Sequence, residues 1–135
     1  KGYPILVEPQ YSLDDVRKNK VSEIQMFDKS KDVNLFILDG KNMWLDKSTR
    51  VGLFNSISIE KQAGKSDTVL WYDAIKYIIS ISNALAMLNA LELYALNCYN
   101  VTQEHIAAVR SLQSIEEIEN YDYKVGYPVK LSFLG

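Results

Sequence analysis

The amino-acid sequence predicts an α+β fold, with about four to five helices around a long central helix and two short β-hairpins forming a small antiparallel sheet. Two strand–turn–strand patterns lie between Asn34 and Ile79. Amphipathic runs precede, separate and follow them, and the last run has an apolar stripe wide enough for burial on more than one side. A chain of 135 residues, 47% of them hydrophobic, suits one domain that buries a core without disulfides.

The chain is predicted to form a single domain over residues 1–135, because no low-complexity linker interrupts it. Within this domain we expect an extended N-terminal segment at 1–11, a body of helices and hairpins at 12–120, and an extended tail at 121–135. Pro4 lies in the first segment, and the residue before a proline favours extended backbone.

Two helices are indicated by the residues at their ends. Ser12 is suited to cap a helix over about 13–30, because its side chain can accept a hydrogen bond from a backbone N–H of the first turn. Asp46 is suited to cap a second helix over about 47–63 in the same way. Gly64 favours the end of that helix, since glycine adopts the left-handed conformation without strain.

Two hairpins are indicated by short β-rich runs around two-residue turns. Asp39-Gly40 suits a type I′ turn, in which both central residues have positive φ, and this turn places Phe36 opposite Met43. Asp73-Ala74 is a poorer turn of the same kind, because alanine resists positive φ. The predicted strands are 35–38, 41–45, 68–72 and 75–80.

The longest predicted helix covers about 81–99, after a serine cap at Ser80 or Ser82. Asn100-Val101 is predicted to break it, and Thr102 to cap a further helix that ends near residue 113. A short final helix at 115–120 follows from the serine at position 114 and the glutamate three residues later, which form a capping-box pattern. We expect the wide apolar stripe of the longest helix to lie inside the domain or in an oligomer interface.

The net charge, the cysteine content and the length of the apolar runs limit the partners and the location that the sequence predicts. The formal net charge of -2 gives no electrostatic reason to expect binding to nucleic acid or to an anionic membrane, so neither is predicted as a partner. The single cysteine, Cys98, cannot form an internal disulfide, which fits a reducing cytoplasm. No apolar run reaches the roughly 18–20 residues that span a bilayer.

The candidate reactive residues are few and separated. Cys98 lies on the apolar side of its helix and is predicted to be a small buried hydrophobe. His105, the only histidine, is predicted to be a surface or capping residue in the first turn of the next helix, beyond the expected break. Two such residues are too few for a zinc site. The sequence therefore predicts no catalytic, cofactor-binding or metal-binding residues, no cofactor, and no enzymatic activity.

Four aspartates near the hairpin ends leave one other kind of function open. Aspartate favours turns and helix caps, which gives each of them a sufficient structural role. A carboxylate hydrolase or a calcium or magnesium site is the alternative reading of these side chains. They are Asp39, Asp46, Asp67 and Asp73.

Aromatic residues and one arginine form the candidate interaction surface. Trp44, Arg50 and Trp71 are expected near one another, with the arginine stacked on an indole or bound to a helix-end carbonyl, because the first hairpin leads into the second helix and the second hairpin returns from it. The tail tyrosines have two readings, as a partner surface or as packing of the tail on the body. They are Tyr121, Tyr123 and Tyr127.

The order of these patterns resembles a known family. LDGKNMWLDKSTRVGLFNSI, then GKSDTVLWY, then a long helix with LELYALNCYNVT, is similar to domain of unknown function 4376, which is common in phages and prophages. The ending YDYKVGYPVKLSF is similar to prophage proteins of gut Bacteroidales. The positions that carry the family pattern are Phe36, Gly40, Trp44, Asp46, Arg50 and Trp71.

The resemblance implies a non-enzymatic structural or assembly role in a phage or prophage tail, as part of a fibre or as an accessory protein. It implies other tail proteins or further copies of the same chain as partners, and a location in the virion or the cytoplasm of the bacterial host. It brings no catalytic residues. The alternative is a recognition module that binds protein or carbohydrate with exposed aromatics, and it predicts that at least one tryptophan is exposed.

Overall fold

The computed structural model describes residues 12–134 and confirms the α+β class. The extended segment predicted at 1–11 lies outside the described residues. The elements in chain order are α1 (Leu13–Asp28), β1 (Phe36–Leu38), β2 (Lys41–Met43), α2 (Lys47–Gln62), β3 (Asp67–Tyr72), β4 (Ile75–Ser80), α3 (Ile81–Ser111), α4 (Ile115–Glu119) and β5 (Ser132–Phe133). No helix within this part of the chain is long and apolar enough to cross a membrane.

The predicted caps start the helices. The Ser12 side chain accepts a hydrogen bond from the Asp15 N–H and begins α1, and the Asp46 side chain accepts one from the Thr49 N–H and begins α2. The Ser80 side chain caps α3 in the same way, which decides between the two serines that the sequence left open. Each cap satisfies a backbone donor that the helix itself leaves unpaired.

The first hairpin has the predicted turn and register. Asp39 and Gly40 have φ values of 51° and 79°, and Phe36 lies opposite Met43. The prediction that both hairpins form a single sheet is wrong. Strand β1 pairs on its other side with β5, in parallel, so the first sheet has the order β2-β1-β5 and the second hairpin, β3-β4, forms a separate two-stranded sheet.

The second hairpin forms despite its unfavourable turn. Asp73 and Ala74 both have positive φ, 51° and 61°, and the two strands pair over six residues each. Leu70, Tyr77 and Ile79 point from one face of this hairpin into the core. Burial of that face offsets the strain at Ala74, because a β-branched and aromatic hairpin needs only one apolar face packed on the domain.

The predicted break at Asn100-Val101 is wrong, because α3 is continuous over 31 residues, about 46 Å. Asparagine and β-branched residues cost only about 0.5 kcal/mol each in a helix interior. Residues beyond the expected break, among them Thr102, Ile106 and Val109, are buried. Their packing outweighs the weak local preference, so Thr102 lies inside α3 and does not cap a new helix.

Two separate clusters of buried residues divide α3 between them. The first half of α3 packs on both sheets and on α2. We call the buried residues at this contact the sheet cluster; they include Phe36, Leu38, Met43, Ile57, Leu70, Ile79, Met87, Leu88 and Leu91. The second half packs on α1 and α4, and we call this group the helix cluster; it consists of Val21, Ile24, Ile106, Val109 and Ile118.

The chain after α4 contains no further helix up to residue 134, and it returns to the first sheet through β5. Backbone N–H groups of Ile37 and Asp39 donate to the carbonyls of Leu131 and Phe133 at 2.9 Å. The Phe133 ring meets Phe36 edge to face, with ring centroids 6.1 Å apart. The tail therefore connects the helix cluster to the sheet cluster.

Candidate functional site

A large open cavity of the described chain lies along the middle of α3, on a side of the helix that neither cluster covers. We call it the α3 groove; its volume is about 1230 Å³. Its apolar part includes Leu93, Leu96 and Tyr99, whose exposed fractions are 65%, 54% and 51%. The other lining residues come from the end of α1, the loop after it, the segment between β2 and α2, the start of α2 and α3 itself. They include Asp28, Lys29, Asn34, Trp44, Asp46, Lys47, Arg50 and Glu92.

A buried arginine fixes one edge of the α3 groove. Arg50 is only 5% exposed; its Nε donates to Glu92 Oε1 at 2.8 Å, and its Nη1 donates to the Leu45 carbonyl at 2.7 Å. The ion pair links the first turn of α2 to the middle of α3. Leu45 lies in the loop before α2, so its carbonyl is not the predicted helix-end carbonyl, and the ion pair with Glu92 is a partner that the sequence did not predict.

Trp44 lies beside Arg50 in the same groove, as the sequence predicted. Its indole Nε1 donates to the Val33 carbonyl at 3.2 Å, and its backbone N–H donates to the Tyr72 hydroxyl at 3.1 Å. The prediction that Trp71 joins this pair is wrong. Trp71 lies on the opposite face of β3 from Tyr72, because successive side chains of a strand point to opposite faces.

Some charged side chains around the α3 groove have a hydrogen-bond partner within the described chain, and others do not. Asp28 accepts a hydrogen bond from Thr102, Asp46 caps α2, and Glu92 pairs with Arg50. Hydrogen bonds from the backbone and side chain of Thr49 lower the pKa of Asp46.

The side chains of Lys29 and Lys47 are exposed and have no hydrogen bond or salt bridge within residues 12–134. The charged groups at the rim without a partner in that range are therefore ammonium groups, although acids and bases line the groove in equal number. The groove also holds one unused acceptor, since Oδ1 of Asn34 is buried with no hydrogen-bond partner in the described chain.

A second uncovered apolar surface lies on the outer side of β3-β4. We call it the hairpin face; it consists of Val69, Trp71 and Ile78, which are 44%, 63% and 63% exposed. Val69 and Ile78 are direct cross-strand partners, and Trp71 faces Lys76. The exposed carboxylates of Asp67 and Asp73 stand at the two ends of β3 without a partner in the described region.

The tail tyrosines pack within the chain. The rings of Tyr123 and Tyr127 meet Phe27 of α1 edge to face, with centroid distances of 5.6 and 5.5 Å, and the ring of Tyr121 meets His105 at 5.6 Å. All three tyrosines are half-buried. The structure therefore places them in the packing of the tail on the body, which is the second of their two readings.

The prediction that His105 is a surface or capping residue is wrong. It is 8% exposed, because the helix continues through the expected break and turns this side chain toward the tail. Its Nδ1 lies 2.7 Å from the Tyr121 hydroxyl and its Nε2 lies 2.8 Å from the Val125 carbonyl. A carbonyl only accepts, so Nε2 carries the proton and donates to Val125. Neutral His105 then accepts from Tyr121.

Thr102 joins α1, α3 and the tail. Its hydroxyl donates to Asp28 Oδ1 at 3.0 Å and lies 2.7 Å from the Tyr127 hydroxyl. Because the one hydroxyl proton of Thr102 goes to the carboxylate, Tyr127 donates to Thr102. Together with His105, this threonine forms a polar network between the second half of α3 and the tail.

Cys98 is buried, as the sequence predicted, with an exposed fraction of 0%. Burial raises the pKa of its thiol, a shift that the neighbouring Tyr94 hydroxyl only partly opposes. A thiol held in its neutral form is a poor nucleophile. Within residues 12–134, no three side chains among histidine, cysteine, aspartate and glutamate come together as a metal site.

Comparison of the chain with family models, with curated proteins and with solved structures finds no match. The resemblance to the phage family therefore stays a prediction from the sequence.

Sequence reasoning missed most of the α3 groove. It identified Trp44 and Arg50, but not the lysines at the rim or the exposed part of the α3 stripe. The only signal was the width of that stripe, which predicted burial and could not show which side stays uncovered. The positions missed are Lys29, Lys47, Leu93, Leu96 and Tyr99.

Proposed function

We propose that this chain is a non-enzymatic structural or assembly domain that binds a protein surface in the α3 groove. We further propose that it serves a phage or prophage tail, in a fibre or as an accessory protein. The partners would be other tail proteins or further copies of the chain, either in the virion or in the cytoplasm of the bacterial host before assembly. The sequence resemblance supports the tail assignment, and the groove supports the mode of action.

The observation that carries this proposal is the exposed stripe of α3. Leu93, Leu96 and Tyr99 follow each other at intervals of three residues, and more than half of each side chain is exposed. Fully burying one such side chain contributes about 1.5–3 kcal/mol, so leaving three of them in water is costly unless a partner covers them. A contiguous apolar surface bordered by charged residues is typical of a protein interaction site.

The non-enzymatic part of the proposal rests on how the two reactive residues are used. Burial keeps the Cys98 thiol in its neutral form. Both ring nitrogens of His105 are engaged by the tail, one by Tyr121 and one by Val125. A general base needs a free nitrogen that reaches its substrate, and His105 has already committed both of its nitrogens to structure.

One observation favours the alternative, a recognition module for protein or carbohydrate. Trp71 is 63% exposed, which confirms the prediction that at least one tryptophan is exposed. An exposed indole is a common platform for stacking on a ligand. This alternative assigns recognition to the hairpin face and not to the α3 groove.

The proposed function is tested by placing a charge in the groove. Leu96→Glu should abolish association, measured by light scattering of the chain alone and by pairwise co-expression with each protein encoded beside its gene. Ile59→Glu is the matched control, because Ile59 is 65% exposed near the end of α2, away from the groove.

Association that survives Leu96→Glu would contradict the role of the groove, and so would the absence of any association with itself or with those proteins. The alternative gains support if Trp71→Ala alone removes binding to a glycan or protein while Leu96→Glu leaves that binding unchanged.

A further inference from the structure

The α3 groove and the hairpin face have complementary shapes. The α3 groove is concave, since α3 forms its floor and the end of α1 and the start of α2 form its walls. The hairpin face belongs to a two-stranded sheet, which is a narrow ridge because its strands lie only about 4.8 Å apart. Two identical grooves cannot fill each other, whereas a ridge can enter a groove.

The apolar residues of the two surfaces match in number and exposure. The groove offers Leu93, Leu96 and Tyr99, and the hairpin face is built from three further apolar side chains that are also 44–63% exposed. Side chains of a strand pair lie about 5 Å apart across the ridge, which suits insertion between residues spaced three apart on a helix.

Most of the unpaired charged side chains of the two surfaces have opposite signs. The groove rim carries the ammonium groups of Lys29 and Lys47, both without a partner in residues 12–134, while each of its acids accepts a hydrogen bond from the chain. The ends of β3 carry Asp67 and Asp73, also unpaired in that range.

Lys76 is the one cation on the hairpin face, and it is exposed beside Trp71. It would meet the carboxylate of Glu92, which remains 40% exposed in its pair with Arg50. Every unpaired charge on the ridge thus has a group of opposite sign in the groove.

From these features we infer that the α3 groove of one copy receives the hairpin face of a second copy. The two surfaces cannot meet within one chain, because the inner side of β3-β4 packs in the sheet cluster and its outer side faces away from α3. Contact between unlike surfaces gives either a reciprocal pair or a ring or filament of copies. The inference rests on the proposed function of the groove and names its occupant.

The test uses two full-length variants with altered charge. One carries Lys29→Glu and Lys47→Glu in the groove, and the other carries Asp67→Lys and Asp73→Asn on the hairpin, where asparagine tolerates the positive φ of residue 73. Each variant alone should associate at least about tenfold more weakly than the wild type, because like charges then meet or attraction is lost. An equal mixture of the two should associate within a few-fold of the wild type.

The control is Lys18→Glu with Lys61→Glu, which makes the same change in net charge as the groove variant at exposed positions that line neither surface. Its association should equal that of the wild type. Circular dichroism of each variant checks the fold. The dissociation constants come from sedimentation or light scattering over a range of concentrations, and the mass of the associated species separates a closed pair from a longer assembly.

The outcomes separate this inference from the proposed function. A wild type that stays monomeric while Leu96→Glu removes binding to a neighbouring protein would overturn the inference and leave the function standing. Self-association weakened by the groove variant but not by the hairpin variant, or a mixture that fails to recover, would overturn it equally. A monomer with no partner at all would overturn both.

Discussion

The two halves of α3 are held in different ways. The first half is held by apolar packing, in which Leu88 and Leu91 of the sheet cluster are 1% and 3% exposed. The second half has a smaller apolar group and adds a polar network, in which Thr102 and His105 bind the tail and α1. The difference shows how a helix of 31 residues can belong to two packing units at once.

The α3 groove lies where these two units meet. The sheet cluster reaches along α3 to Leu91, and the polar network of the second half begins at Thr102. Between these positions no segment of residues 12–134 covers one side of the helix, and Leu93 and Leu96 are exposed there. A long helix shared by two cores therefore leaves an uncovered segment at their boundary, and this is the segment that we assign to a partner.

The largest effect should come from the sheet cluster. Leu88→Ala should lower the free energy of unfolding by about 3 kcal/mol, because it removes buried methyl groups and leaves a cavity. Leu96→Ala on the same helix should cost less than about 1 kcal/mol, since Leu96 is 54% exposed. Urea unfolding of both variants measures the contrast, and equal losses would contradict the description of two differently packed halves.

The polar network should contribute less than the sheet cluster to the free energy of unfolding. Thr102→Val should lower the free energy of unfolding by about 1–2 kcal/mol, because it leaves the Asp28 carboxylate and the Tyr127 hydroxyl without their partner. Tyr127→Phe should cost a similar amount, and the double variant should cost less than the sum because the two residues share one hydrogen bond. Strict additivity in urea unfolding would show that they are not coupled.

A gain in stability is expected from a substitution in the turn of the second hairpin, which packs in the sheet cluster. Ala74→Gly should raise the free energy of unfolding by about 1 kcal/mol, since residue 74 has φ 61° and glycine adopts that conformation without a Cβ clash. Ala86→Gly, at an exposed position in α3, should lower it by a similar amount. Thermal unfolding distinguishes the two signs, and a loss at residue 74 would contradict the strain assigned to the turn.

The smallest effect concerns pH and belongs to the contact between α3 and the tail. Burial raises the pKa of Tyr94 from its ordinary value of 10.0 to about 12, and its hydroxyl donates to the Pro128 carbonyl at 3.0 Å. The unfolded chain ionises this phenol first, so its contribution to stability is complete below pH 10 and is lost as the pH rises toward 12.

Burial also raises the pKa of Tyr121 and of Tyr127, so these residues add to the loss in the same direction. Tyr94→Phe should therefore reduce, but not remove, the fall in stability between pH 9 and pH 11. Urea unfolding at about these two pH values measures the slope for each protein, following the linkage of proton binding to stability. Equal slopes for the wild type and the variant would show that Tyr94 does not take part.

The sequence predicted the parts of the fold that depend on short-range contacts. Ser12, Asp46 and Ser114 each cap a helix through a residue three positions later, and Asp39-Gly40 sets its turn through its own backbone preference. The candidate site was predicted only in part, since Trp44 and Arg50 line the groove while Trp71 lies on the hairpin face. The lysines at the rim of the groove and the exposed part of the α3 stripe are not indicated by any local pattern in the sequence.

The sequence by itself therefore determined the α+β class, the starts of α1, α2 and α4, both hairpins and the burial of Cys98, because each follows from residues within a few positions or from an apolar pattern. Only the tertiary structure decided that α3 runs through Asn100-Val101, since the hydrogen bond that accounts for Thr102 joins it to Asp28, 74 residues away. It also decided that β5 pairs with β1 and that one side of α3 stays uncovered, because both depend on how distant segments pack.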